Sequence, residues 1–459
     1  MLNFKWNLNL RCDNMKTDID RYKKCSDKPG LGNCCLYRQK GGVLFAFFLF
    51  MFMNSYSQIS KNEKTNLKIK FSGFIKYELF ADTRQTVNVR EALVVLYPEN
   101  VLYDANGKDV NAARSLNMLS IHSRLRSSIT GPSFLGARAS GLVEADFYGN
   151  ENKNFSDLNG FRLFSAYMKF DWGRTELLAG QYWHPMSIPG FFPGVVAFSA
   201  GAPFHPMSRN PQVRVVQTMG KLKIIGSMLS QRDFTGTGPD GPGSQYLRNS
   251  GIPNLHVQLQ CGSDSSKIHT GAGIDYKKIV PELYTKSETG EMYATEKSLT
   301  GISMMGFITA KTKPLTIKAQ GVYAQNGYDL LLLGGYAVKE ITNTQTGEKE
   351  FSNLDTVSLW TDFQTNGRNF YVGLFCGYIK NLGCGETIQG AFYSRGTDIG
   401  SVYRIAPRLV YTEGRVGISL EGEYTTASYG TANGDSKGGV TGADPVSNFR
   451  TLLSLKYSF

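Results

Sequence analysis

The sequence predicts an all-β protein: one transmembrane antiparallel β-barrel of about sixteen strands, with short periplasmic turns and long extracellular loops. Three observations carry this expectation. The chain closes on a period-two segment in which Phe449, Leu453, Leu455, Tyr457 and Phe459 share one face and Arg450, Ser454 and Lys456 the other, the pattern of a strand with one apolar face. Its composition holds 50 Gly and 28 Phe with 24 Tyr, spread over short alternating segments between turn signals. And the connections between those segments alternate between short and long.

The N-terminus sets the compartment. Lys40 precedes an apolar run from Val43 to Met53, followed by Ser55-Tyr56-Ser57 and Gln58, the order of a secretory signal with cleavage after Ser57. Eleven apolar residues are too few to span a bilayer as a helix, which needs about 20. No Cys follows the cut, which argues against a lipid anchor. The 39 residues upstream of Lys40 are polar and carry four of the seven Cys, unusual for a signal, and Met15 does not make a tidy start. Two segments are therefore expected: 1–57, extension plus signal peptide, and 58–459, a single barrel.

Removing residues 1–57, with their 9 Lys/Arg and 4 Asp/Glu, leaves 41 basic against 34 acidic side chains, a net charge of +7. No clustered Lys/Arg run accompanies it, so nucleic acid is not an expected partner. Only Cys261, Cys376 and Cys384 remain, too few for a disulfide scaffold; a single Cys376–Cys384 bridge stays open. With 41% apolar residues and no second long apolar run, a helical membrane protein is excluded. A soluble sandwich of this size would divide into domains, yet no linker or composition shift breaks the chain.

The first strand, 67–81, puts Leu67, Ile69, Phe71, Ile75, Tyr77 and Leu79 opposite Lys68, Lys70, Lys76 and Glu78. Strands follow near 118–129, 136–148, 161–170, 175–183, 212–218, 221–231, 254–262, 267–276, 299–310, 315–325, 356–365, 369–379, 402–411, 415–426 and 448–459. Short connections include Asp171-Trp172-Gly173-Arg174, Met219-Gly220, Lys313-Pro314, Asn366-Gly367-Arg368 and Glu413-Gly414. Long ones include 82–116, 184–211, 232–253, 277–297, 326–354, 380–401 and 427–447. A membrane barrel requires this asymmetry, an even strand number and both termini on one side; a soluble barrel has no reason for it.

The C-terminal aromatic strand resembles the closing strand of bacterial outer-membrane barrels, the alternative being an edge strand of a soluble sheet. Gly73-Phe74-Ile75-Lys76, Ser123-Arg124-Leu125-Arg126, Gly141-Leu142-Val143-Glu144-Ala145-Asp146-Phe147-Tyr148-Gly149 and Phe161-Arg162-Leu163 through Leu177-Leu178-Ala179-Gly180-Gln181-Tyr182-Trp183 together resemble the DcaP-like branch of the trimeric outer-membrane porins. The resemblance is clearest over 67–185 and at the C-terminus. It implies a 16-stranded trimeric diffusion channel in the outer membrane of a Gram-negative bacterium, some members passing small dicarboxylates.

Closing sixteen strands leaves an interior too wide for side chains to fill, hence a water-filled pore for small hydrophilic solutes. With the apolar face outward, Arg124, Arg126, Arg138, Lys318, Arg404, Arg408 and Lys456 face the lumen, as do Glu144, Asp146, Glu421 and Glu423. Opposed basic and acidic walls would set a transverse field, and the basic excess would favour anions such as small carboxylates; the competing reading is that these charges only pair or stay solvated. Segment 184–211 is rich in Pro and aromatics and poor in charge, unlike a solvent-exposed loop. It is expected to enter the barrel and bring Arg209 to the constriction, the alternatives being an external cap or a contact with lipopolysaccharide or a neighbouring subunit. His184 and His205 on it are loop residues rather than metal ligands, and no cofactor is expected.

The third strand's outward positions, Ala137, Ala139, Gly141 and Ala145, are small, as in a subunit interface or a relieved sheet kink. Expected partners are outer-membrane lipid and lipopolysaccharide, two further copies in a homotrimer, and the barrel-assembly machinery that reads the strand ending at Phe459. No catalytic motif of the Gly-x-Ser-x-Gly, His-Glu-x-x-His or phosphate-loop kind occurs, so no enzyme is expected. The alternatives are a non-conducting barrel serving as anchor or adhesin, or an outer-membrane hydrolase.

Overall fold

The computed structural model describes residues 67–148 and 160–459; the expected leader over 1–57 lies outside the described residues. Sixteen strands form one antiparallel meander: β1 (Lys68–Asp82), β2 (Ser115–Leu119 and Arg124–Thr130), β3 (Arg138–Asp146), β4 (Arg162–Asp171), β5 (Thr175–Trp183), β6 (Arg209–Met219), β7 (Leu222–Leu229) and β8 (Asn254–Cys261). The second half is β9 (Ile268–Ile279), β10 (Leu299–Lys311), β11 (Leu315–Gln325), β12 (Glu348–Thr365), β13 (Phe370–Gly383), β14 (Ile399–Glu413), β15 (Val416–Ala432) and β16 (Val440–Ser458). Each pairs with its sequence neighbours, and β1 pairs with β16 from Phe74↔Ser458 to Asp82↔Arg450, which closes the barrel. Closure leaves no strand edge without a partner, the condition for a sheet to sit in lipid. No helix among the described residues is long and apolar enough to cross a membrane; strands do the crossing.

The seam is tight at Gly73. Its amide donates to the Phe459 carbonyl and its carbonyl accepts from the Phe459 amide, both at 3.0 Å, while its other edge meets β2 at Leu125. A Cβ there would lie 2.2 Å from the Arg124 carbonyl oxygen and 2.9 Å from the Phe459 ring, so this position takes only glycine.

Polarity is inverted relative to a water-soluble domain. Phe71, Ile75, Val257, Ile274, Leu359 and Leu420 are among the large apolar side chains exposed on the outer wall, while Lys76, Glu78, Asp82, Arg404, Arg408 and Glu421 are buried inside. Alternation at period two delivers both sets at once, because each strand has one face to lipid and one to the interior.

Every expected strand corresponds to one of the sixteen, with differences at the long-loop ends. β12 begins at Glu348 rather than 356, β16 at Val440 rather than 448, and β15 runs on to Ala432. Gly334–Asn343 pairs onto the β12 extension, and Phe392–Arg395 pairs in turn onto Gly334–Ala337. Above the lipid neither face must be uniformly apolar, so the alternation that marks a strand in sequence fades there. The Cys376–Cys384 bridge left open above does not form: Cys261, Cys376 and Cys384 are all free.

The interior is far from empty. Loop residues 184–208, the hairpin Thr86–Val89 with Val94–Pro98, and the buried run Leu330-Leu331-Leu332-Leu333 contribute to one apolar cluster that includes Phe191, Phe198, Phe204, Tyr97 and the wall residue Trp360. A cavity remains on the side of β2 to β6.

Candidate functional site

Loop 184–208 leaves β5 and turns inward because its own composition demands cover: it holds no Lys, Arg, Asp or Glu, but four Phe, five Pro and two Met. Its backbone polar groups, which packing cuts off from water, are satisfied by wall side chains instead. Ser358 on β12 donates to the Phe204 carbonyl at 2.8 Å, and Arg404 on β14 to the Ala202 carbonyl at 2.9 Å. The Gly194 amide donates to Asp362 at 3.0 Å, and the Val196 and Ala197 amides to the Glu421 carboxylate at 2.7 and 2.9 Å. Lys318 on β11 donates to the Phe192 carbonyl at 2.7 Å, and Lys76 on β1 to the Val196 carbonyl at 2.9 Å. The loop is thus a belt along the wall from β11 through β15 to β1. Gly377 on β13 makes room for it, since a Cβ there would meet the Phe204 ring at 2.4 Å.

His184 and His205 are fully buried in this belt. The His184 Nδ1 accepts the Met186 amide at 3.2 Å, and its Nε2 lies 3.5 Å from Asp275. The His205 Nδ1 meets the Gln320 Oε1 at 3.0 Å. Both hold the loop in place.

The sequence-derived lumen set divides in three. Arg404, Arg408, Glu421 and Glu423 point inward, but the loop covers them and each is 1–2% exposed. Arg408 is locked bidentately on Asp362 at 2.6 and 3.0 Å, and Arg404 spans Thr425, Val95 and Ala202 with Glu423 at 3.5 Å. These residues brace the loop and offer no surface to a solute; expecting them on the open wall overlooked what would lie over them. Lys318 is likewise committed to the loop backbone. Arg138 sits at the short-turn rim, 80% exposed, paired with Asp171 at 2.7 Å, because it is the first residue of its strand and lies below the barrel wall proper.

Arg124, Arg126, Glu144, Asp146 and Arg209 do converge, beside the open side of the lumen. Cross-strand register places Arg124 opposite Asp146 and Arg126 opposite Glu144, with ion pairs of 3.8 Å and 2.8 Å respectively. Arg209 opens β6 and holds Asp233 at 2.7 and 2.9 Å. Arg162, whose role the sequence alone does not reveal, joins Asp146 at 2.8 and 2.9 Å and approaches Asp233 at 3.8 Å, and Arg90 reaches the same Asp233 at 3.2 Å. Among the described residues, Arg124, Arg126, Arg162 and Arg209 therefore share Glu144, Asp146 and Asp233, and Arg90 joins them at Asp233. Burial alone would raise the Asp233 carboxyl, but Arg209, Arg90 and Arg162 hold it below its ordinary value. Lys456 faces the lumen over the Phe74 ring at 4.4 Å.

The acids do not form a wall opposite the bases. Glu144 and Asp146 stand on the strand next to Arg124 and Arg126, and Glu421 is consumed by loop amides, so the transverse field expected from opposed walls is not built. The loop residues that keep some exposure, Pro189, Gly190, Phe192, Gly194, Val195, Val196 and Ala200, are all uncharged.

Below the constriction, toward the short turns, a cavity of about 380 Å3 is lined by Ser128, Leu142, Tyr167, Lys169, Tyr182 and Arg214, among others. Arg214 was not singled out in the sequence because its flanking residues, Val213, Val215 and Val216, blur the alternation of β6.

A closed sixteen-stranded barrel with an apolar outer belt and an inward-folded loop after the fifth strand defines a transmembrane β-barrel with the porin fold. Among solved structures, the outer membrane channel DcaP of Acinetobacter baumannii matches 86% of this chain and 97% of its own length, with a TM-score of 0.62 at 16% identity. OmpT of Vibrio cholerae matches at a TM-score of 0.51 and 10% identity, over 88% of this chain and all of its own. An anion-selective porin from Comamonas acidovorans matches at 0.50 and 10%, over 86% of this chain and all of its own. No family model and no curated protein sequence matches the chain. The fold is that of the outer-membrane porins.

Proposed function

We propose that the protein is an outer-membrane porin: a passive diffusion channel for small hydrophilic solutes that favours anions, small carboxylates among them. One observation carries the reading. Along this side of the lumen, and among the described residues, Arg124, Arg126, Arg162 and Arg209 pair with Asp146, Glu144 and Asp233, leaving a basic excess in a narrow space where water screens it poorly. Arg126 keeps 47% of its side chain exposed, so part of that excess is offered to solutes. The shared fold with an anion-selective porin supports a channel role for this lumen. The cavity beside β2 to β6 supports a passage that runs along this basic wall.

The same reading places the chain in a homotrimer, in contact with lipid and lipopolysaccharide, and inserted by the barrel-assembly machinery. The small outward residues Ala139 and Gly141 on β3 suit close approach of a neighbouring copy, and OmpT of Vibrio cholerae is described in a trimer form.

The test is the combined substitution Arg124→Ala and Arg126→Ala, read as reversal potential under a salt gradient in planar bilayers. A shift toward cations is expected; unchanged selectivity would remove the role assigned to this wall.

A further inference from the structure

We propose that the cavity around Arg214 is a binding site for amphipathic organic monoanions, carboxylates carrying a short apolar body, on the short-turn side of the constriction. This rests on the reading of the barrel as an anion-favouring channel and names the solute class it holds longest.

The argument begins with charge. Arg126, Arg162, Arg209 and Arg408 each have a carboxylate within 2.8 Å. Arg214 is as inaccessible, 8% exposed, yet its bonds go only to neutral oxygens: Nε to the Gln212 Oε1 at 2.9 Å and Nη2 to the Trp183 carbonyl at 2.6 Å. Among the described residues no carboxylate pairs with it. A largely desolvated guanidinium without a counter-ion is costly, and an anion from solution relieves that cost. The remaining edge of the group, Nη1, makes no hydrogen bond among the described residues and is left for such an anion.

The surroundings add the second half of the specificity. The Tyr167 and Tyr182 rings meet edge to face at 4.8 Å, and the Arg214 guanidinium lies 5.3 Å from the Tyr182 ring. Leu142, Leu178 and Val216 add apolar lining to a cavity of about 380 Å3, within the range that small ligands occupy; its one carboxylate among the described residues, Glu176, is paired with Lys169 at 3.1 Å. Loop 184–208 keeps Phe192, Val195 and Val196 partly exposed and carries no acidic residue from His184 to Ser208. With a guanidinium and an apolar lining in the one cavity, a molecule with a charged end and an apolar body contacts both, whereas a wholly polar anion loses water on the apolar side without compensation.

The test uses the folded protein in planar bilayers, with acetate, hexanoate or gluconate added on the short-turn side. Hexanoate is expected to interrupt the current for about tenfold longer than acetate, the factor supplied by half-burying its four additional methylene groups. Gluconate, of similar size but polar throughout, should behave like acetate. Arg214→Gln should shorten the hexanoate events to the acetate level, and Arg214→Lys, which keeps the charge without the planar fork, should leave them intermediate. Hexanoate events in the unaltered protein no longer than those of gluconate, or undiminished in Arg214→Gln, would overturn the site. The chloride reversal potential of the same channels separates the two readings: anion preference without hexanoate retention removes only this site, and cation preference removes both.

Discussion

Arg124 and Arg209 hold opposite faces of the Phe164 ring, their guanidinium carbons 3.4 and 3.6 Å from its centroid. Two guanidinium groups at those distances cannot share one face. The ring therefore separates two like charges that the fold brings together from β2 and β6, and offers each the negative face of its π system. Asp146 and Asp233 complete the arrangement from either side. Phe164→Leu keeps most of the apolar volume and removes both contacts; it should cost about 1–3 kcal/mol, measured by thermal unfolding in detergent, and should lower anion preference as the two cations rearrange.

Asp233 anchors the same cluster from the loop after β7, and its carboxyl is held low by three guanidinium groups. A carboxyl whose folded pKa is depressed contributes its full stability above the unfolded value of about 4, and loses it as pH falls through the folded value. Asp233→Asn should therefore destabilise the protein by about 3–5 kcal/mol at neutral pH, the usual cost of stranding buried charge. The gap between variant and parent should narrow as pH drops below about 4 in parallel unfolding curves.

Glu421 fixes the middle of the inward loop through the Val196 and Ala197 amides. Hydrogen bonds of this kind contribute about 1 kcal/mol each, so Glu421→Ala should free the loop and give a larger, noisier single-channel current. Glu421→Gln, which retains one acceptor oxygen, should fall between.

At the seam, Gly73→Val forces a side chain into the Arg124 carbonyl and the Phe459 ring. The expected result is loss of the closed barrel, seen as failure to form the compact, heat-modifiable species on electrophoresis; a normally folded product would mean the seam is looser than its geometry.

Much of this was legible in the residues. Period-two alternation marked all sixteen strands, and parity alone sent Arg404, Arg408, Glu144 and Glu421 inward. Parity says which face a side chain takes but not what covers it. Arg408 finds Asp362 across two strands, and Arg404 finds a loop carbonyl some two hundred residues away in sequence. The same limit hid Asp233, whose role depends on a loop folding back over β6, and Arg214, which no carboxylate pairs with among the described residues. The inward loop itself was readable, because a stretch so apolar and so poor in charge has nowhere to go but into the barrel.

The central claim is an open channel whose conducting path runs along the Arg124 and Arg126 wall. Single-channel conductance with reversal potential in a salt gradient, on the purified protein in a planar bilayer, tests it most directly. The account predicts discrete open steps with a reversal potential displaced toward chloride. A folded barrel that conducts nothing, or one that prefers potassium, would contradict it.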